Sequence, residues 1–292
     1  MSAERSPFAK MRLVVLVGAL VVVLFYAYAN VHRRRERNQW DHTLEVAVVV
    51  LRKAPRVDDA TVAELRARLP ALEKRLGAEA RRYRPDIGTP FVFRFYGPLD
   101  VTEAPPALEG HGAWDLARYA YALRRYTSAV DQAAGIDPDA FDSRIYVTAE
   151  RPRSRDRAWV EGESEQGGLL GQVAVELDSD MIDTTLAVIA HETFHTLGAT
   201  DKYDAAGHAH IPDGLAEPEL VPLFPQRRAE LMARGRPEGP GVEKILDSLD
   251  ELGVGGCPRP CGPGRGSRQT RSCASCPASR GRRGRVRRLC GS

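Results

Sequence analysis

No cysteine occurs before Cys257 in this 292-residue chain. All five, Cys257, Cys261, Cys273, Cys276 and Cys290, fall in the last 36 residues. The region before them therefore uses neither disulfides nor thiolate metal ligands, and no cysteine switch precedes it. A basic surplus is missing from the same region. Residues 257–292 hold ten arginines and no acidic residue; removing those ten from 42 basic residues leaves 32 against 39 acidic, a net charge of −7 for residues 1–256. That balance carries no footprint of nucleic-acid binding, and no nucleic-acid partner is expected. The tail is Gly, Pro, Ser, Arg and Cys with almost no large apolar side chain, so it cannot bury a core. Cys273 and Cys276 have a metal-knuckle spacing, but Cys257 and Cys261 lie four apart, and a disordered tail is expected. Its abrupt change of composition also fits a non-native end.

One long apolar run is present. Leu13 to Ala29 is 17 residues without a charge, with Lys10 and Arg12 before it and His32-Arg33-Arg34-Arg35 after it. That length is at the lower edge for a spanning helix. A basic start and Ala27-Tyr28-Ala29 also suit a cleaved signal. The expectation is a retained single-pass anchor over 13–29, with a flank 1–12 and a basic juxtamembrane linker 30–42. Three basic residues before the span and four after it slightly favour a cytoplasmic domain. A short basic N-terminus before one apolar span is the usual form of an export signal, and an exported, membrane-anchored domain is expected.

Histidine is scarce, at seven residues, and two of them fall in His191-Glu192-Thr193-Phe194-His195-Thr196-Leu197-Gly198-Ala199-Thr200-Asp201. Two histidines four apart on a helix share one face and can reach a single metal ion. Glu192 lies one step round, beside the metal's open side, where it can take a proton from water. Gly198 lets the chain turn, and Asp201 follows as a third ligand. Three protein ligands and one open position suit one catalytic Zn2+ per chain. Asp178, Ser179 or Asp180 can cap the helix, whose apolar positions are Met181, Ile182, Leu186, Ile189, Ala190 and Phe194. An amphipathic helix with two polar histidines is the bland alternative. By chance the bare His-Glu-x-x-His pattern would arise in roughly one such sequence in a hundred, and Gly198 and Asp201 make it rarer still.

These residues resemble the metzincin zinc metallopeptidases, whose motif is His-Glu-x-x-His-x-x-Gly-x-x-His or Asp. The Asp form is similar to the snapalysin type. Asp201-Lys202-Tyr203-Asp204 resembles the Asp-x-Tyr-Asp of immune inhibitor A-type peptidases. The resemblance is close over about 185–235 and looser over 44–235. It implies His191, His195 and Asp201 as zinc ligands and Glu192 as general base. It also implies a methionine turn beneath the metal, for which Met232 is the only methionine after the motif. An anionic third ligand should weaken the zinc as a Lewis acid. His208, His210 and Glu217 stay open as alternatives, with Asp201 first by spacing. Tyr203 could donate to the oxyanion or pack beside the metal, and Asp204 could support the site.

The remaining pattern predicts strands at 43–51, 91–96, 143–148 and 172–177, with a short one at 159–161, and helices at 58–82 and 114–134. Val46, Val48, Val49 and Val50 make a buried β-branched run, and Val62, Leu65, Leu69, Leu72 and Leu76 recur at helical spacing. The tyrosines and Trp114 of the second helix read as packing. Arg151, Arg153, Arg155 and Arg157 read as a solvated loop, and Glu161 to Gly168 as a glycine-rich acidic hairpin turn, with lining the cleft or binding a cation as its alternative. The order suits an α/β (α+β) domain over 43–256 with a mixed sheet. The resemblance implies a twisted sheet above a zinc-binding active-site helix, an edge strand for an extended peptide, and a loop-rich C-terminal subdomain. Gln172 to Leu177 is the expected edge, and prolines from Pro212 to Pro240 mark the loop-rich part. Two functions follow as expectations: a membrane-associated zinc endopeptidase acting on protein or peptide, and a non-catalytic tethered scaffold keeping the same fold. Glu192 favours the first, since a scaffold needs no base there.

Overall fold

The structure is a computed structural model that describes residues 7–152, 160–164 and 167–255. The loop arginines Arg153, Arg155 and Arg157, together with Trp159 and the tail 257–292, lie outside the described residues. The domain is mixed α/β, with a sheet in the order β2-β1-β3-β5-β4. Its strands are β1 (Leu44–Arg52), β2 (Phe91–Asp100), β3 (Ser143–Glu150), β4 (Val160–Ser164) and β5 (Leu170–Glu176). Four are parallel, and β4 alone is antiparallel, paired to β5. The central strand β1 is buried on both faces, as a continuous β-branched run requires of a parallel strand.

Two layers of helix cover the sheet. Leu44, Val46, Val48 and Val50 face α2 (Asp59–Tyr83) and α4 (Ile182–Thr196), meeting the predicted stripe Val62, Leu65, Leu69, Leu72 and Leu76. Asp58 caps α2, accepting from the Thr61 N–H at 2.9 Å. Ala47, Val49 and Leu51 face the other way, against Val130 and Tyr126 of α3 (Ala113–Ala134). After α4 the described chain holds only short strands, β6 (Ala229–Glu230), β7 (Arg236–Gly239), β8 (Val242–Lys244) and β9 (Leu252–Gly253), and one 3-10 turn. Glu79, 3% exposed, closes this region onto α2. Its carboxylate meets Arg75 at 3.2 Å and Arg228 at 3.1 Å, pairs with Arg82, and accepts the Val254 N–H at 3.1 Å.

Two expectations are corrected. Gln172 to Leu177 is not an edge, because β5 lies between β3 and β4. The segment read as a glycine-rich turn supplies β4 instead: Gly162 pairs with Val173 and Ser164 with Gly171. Its polar residues suit a strand that, among the described residues, is paired on one side only. The N-terminal helix is also longer than the apolar run. α1 spans Pro7–Arg37, and is long and apolar enough to cross a membrane. Its last turn is not a linker. The buried Arg37 guanidinium donates to the carbonyls of Asp142 at 2.9 Å, Gly168 at 3.0 Å and Gly167 at 3.4 Å. Asn38 donates to the Leu197 carbonyl at 3.1 Å, and Trp40 packs edge-on against Phe91 at 5.4 Å. These contacts extend the helix through polar residues that carry no apolar signal.

Candidate metal centre

The helix α4 begins from a 3-10 turn, Ser179–Met181, in which the Asp178 side chain accepts from the Asp180 N–H at 3.0 Å. Ile182, Leu186, Ile189 and Ala190 bury one face, which turns His191 and His195 toward the chain that follows. The helix ends at Gly198, whose φ of 99° only glycine adopts without strain. The reversal carries Asp201 back over the last turn. Lys202 then fixes it, donating its N–H to the Met232 carbonyl at 2.9 Å and its ammonium to the buried Glu230 at 2.7 Å. The second oxygen of Glu230 accepts the Met232 N–H at 2.5 Å. Met232 itself is buried in a tight turn closed by the Ala233 N–H on the Glu230 carbonyl at 2.9 Å.

Three ligand atoms converge. His191 Nε2 and His195 Nε2 lie 3.0 Å apart, and Asp201 Oδ1 is 3.1 Å from the first and 3.2 Å from the second. Each imidazole is oriented from behind. His191 Nδ1 donates to the Leu231 carbonyl at 2.9 Å, and His195 Nδ1 to the Ala199 carbonyl at 3.0 Å. Those bonds assign the tautomer and leave both Nε2 lone pairs facing one carboxylate oxygen. Three acceptors that close repel unless a proton or a cation lies among them. A tetrahedral zinc with bonds of about 2.1 Å spaces its ligands about 3.4 Å apart, slightly wider than this triangle, so the three atoms would part by a few tenths of an ångström to hold such an ion. The groups themselves register the crowding. Burial alone would lower the His191 pKa, but the Asp201 bond, the Glu192 charge and the Leu231 carbonyl raise it overall. The His191 bond holds Asp201 below the usual carboxylate range.

Glu192 is 3% exposed and brings one oxygen within 4.8 Å of both imidazoles. Its Oε2 is buried with no partner at hydrogen-bonding geometry, and the Ser164 hydroxyl lies close enough to act on the carboxyl. Burial pushes the carboxyl up, against the pull of Ser164, His191 and His195. The edge strand runs directly over it, and a Cβ at Gly162 would collide with Glu192 Oε1. Beside it opens a cavity of about 320 Å³, lined by Met181, Val188, Leu231, Leu246, Tyr203 and Arg234. Tyr203 lies 6.3 Å from the His191 ring, and its hydroxyl is pushed up to about 12 by burial and by Asp201.

Of the residues singled out in the sequence, His191, Glu192, His195, Asp201 and Tyr203 lie together here, and Met232 is joined to them through its backbone carbonyl, which accepts the Lys202 N–H. Asp204 stands apart, its carboxylate accepting the N–H groups of Ala206 at 2.9 Å and His208 at 3.0 Å in a surface turn. His208 pairs with that carboxylate at 3.7 Å, the His210 backbone bonds to Lys202, and Glu217 accepts the Arg227 N–H at 2.9 Å. Sequence reasoning allowed the Glu161 to Gly168 segment to line the cleft, as Glu161 and Gly162 do, but it missed the strand that holds Gly162 against Glu192 and the Lys202–Glu230 clasp. A glycine spaced between strand residues was the one available signal. Comparisons with protein-family models, with curated proteins and with solved structures give no match.

Proposed function

We propose that this chain is a membrane-anchored zinc endopeptidase of metzincin-like type. The observation that carries the reading is the His191–His195–Asp201 triangle with a buried, unpartnered Glu192 oxygen beside it. A solvated helix face would not turn three acceptor atoms on one another, nor bury a carboxylate oxygen without a hydrogen-bond partner. His191, His195 and Asp201 would hold the ion. Zinc, when bound, supplies a Lewis acid that acidifies water and polarises a peptide carbonyl.

The chain's own groups do the rest. An extended peptide pairs with the open edge of β4, and its scissile carbonyl lies beside Glu192. Glu192 takes a proton from water as the water oxygen bonds to the carbonyl carbon. The same carboxyl then gives that proton to the amine as the carbon–nitrogen bond breaks. Tyr203, still protonated at neutral pH, can donate to the carbonyl oxygen as charge builds there. The cavity beside Glu192 accepts an apolar side chain of the peptide. The methionine turn at Met232 and the loop-rich region after α4 suit the same family.

Zinc stoichiometry and peptide hydrolysis test this together. The wild-type protein should hold about one zinc per chain and cleave general peptide substrates, with activity lost on chelation. Asp201→Ala should lose or greatly weaken the metal. Glu192→Gln should keep it while slowing hydrolysis by about 100-fold or more. Wild-type turnover in Glu192→Gln, or no zinc after metal was supplied in folding, would end the reading.

A further inference from the structure

The membrane-directed helix and the metal centre lie at the same end of the sheet. The parallel strands start there: Arg37 holds the carbonyls of Asp142, just before β3, and of Gly168, just before β5, while Trp40 packs on Phe91, the first residue of β2. The helix α4 runs back toward this end, where the Thr196 hydroxyl donates to Ser143 at 2.9 Å and the Leu197 carbonyl accepts from Asn38. Gly167, whose carbonyl faces Arg37, donates its own N–H to the His195 carbonyl at 2.7 Å. One short path of contacts thus joins the anchor to the backbone of His195, a residue of the candidate metal centre.

Helix rise limits the height of the site. Ala29 closes the apolar run, and eight further positions of the same helix reach Arg37, about 12 Å along the axis, which tilt can only shorten. The path through Arg37 and Gly167 to His195 adds on the order of 15 Å. Roughly 5–7 Å of the total lies within the lipid headgroups. The open strand also points the right way. β4 is antiparallel to its neighbours, so its Ser164 end faces the anchor side and Val160 faces away. A chain rising from the bilayer meets Ser164 first, then Gly162 and the Glu192 beneath it.

We propose that the substrates are polypeptides held in the same membrane, cut in an extended stalk within roughly six residues of the headgroups. This rests on the peptidase reading above and on α1 being retained. The test uses the full chain in vesicles of phosphatidylcholine and phosphatidylglycerol. One mixed-sequence fluorogenic peptide library is supplied free, or lipid-anchored through spacers of about five or about forty residues. Both anchored forms share the surface confinement, so only reach differs. The short spacer should be cleaved at least about tenfold faster. A flexible Gly-Ser insertion between Val31 and His32, which leaves the Arg37 contacts alone, should move the preference to longer spacers. Equal rates for both spacers would overturn the proposal, as would a mature chain lacking Leu13 to Ala29. Cleavage of no peptide, free or anchored, would remove the peptidase reading and this substrate class with it. Placement is read separately, with the five tail cysteines changed to serine. Energy transfer to headgroup dyes should be stronger from a label at Thr200→Cys than at Ser179→Cys, the far end of α4. Equal or reversed transfer would overturn the placement.

Discussion

A methyl group at position 162 would have nowhere to go. Gly162 lies against the Glu192 carboxylate, so Gly162→Ala must displace either that side chain or the edge strand. Hydrolysis should fall by roughly tenfold or more while zinc content stays at one per chain, because a misplacement of about 1 Å is costly in a reacting geometry. Unchanged turnover would show that β4 is not set by this contact. The ligand triangle has a second consequence when metal is removed. Asp201 titrates below its unfolded value, so its contribution is present above that value and is lost as pH falls through the lowered one. His191 titrates above its unfolded value, so its contribution is present below that value and is lost as pH rises through the raised one. Metal-free protein should therefore melt higher at about pH 6 than at about pH 9, and Asp201→Asn should flatten the difference. Scanning calorimetry in chelator reads this directly.

Elements differ in how plainly the sequence announced them. The helix α2 and strand β1 were legible because burial alone dictates their periods: leucines at helical spacing on one side, continuous valines on the other. The helix α4 was legible for a stronger reason, since the spacing expected of a metal site sets residue type and position together. β4 was legible only at its start, where a short strand at 159–161 was expected, because Gly162, Glu163 and Ser164 have low strand propensity. The last turn of α1 was hidden for a related reason: its signal is a single arginine meeting carbonyls far away in sequence. Arg37→Ala would leave the Asp142, Gly167 and Gly168 carbonyls facing a gap at a buried site. The cost should be about 2 kcal/mol, as expected for hydrogen bonds to a charged donor. Urea unfolding of residues 30–255 reads it, and a loss under about 0.5 kcal/mol would mean that Asn38 and Trp40 suffice.

At the scale of the whole molecule, the parts hold together by different forces. The sheet and its helices share an apolar core that runs from Leu44 to Leu252. The end of the described chain shares that core through Leu249 and Leu252 and is fastened in addition by arginines gathered on the buried Glu79 and by the Arg75 guanidinium on the Leu252 carbonyl. Two denaturants should therefore see two different proteins. Urea is uncharged and should unfold the domain in one step. Guanidinium chloride competes as an ion with those same arginines, so it should free β9 and the turn at Met232 before the sheet yields. A fluorophore placed near residue 250 would then report an early transition in guanidinium that is missing in urea. The metal centre would lose the wall behind His191 while most of the helix and strand signal is still intact.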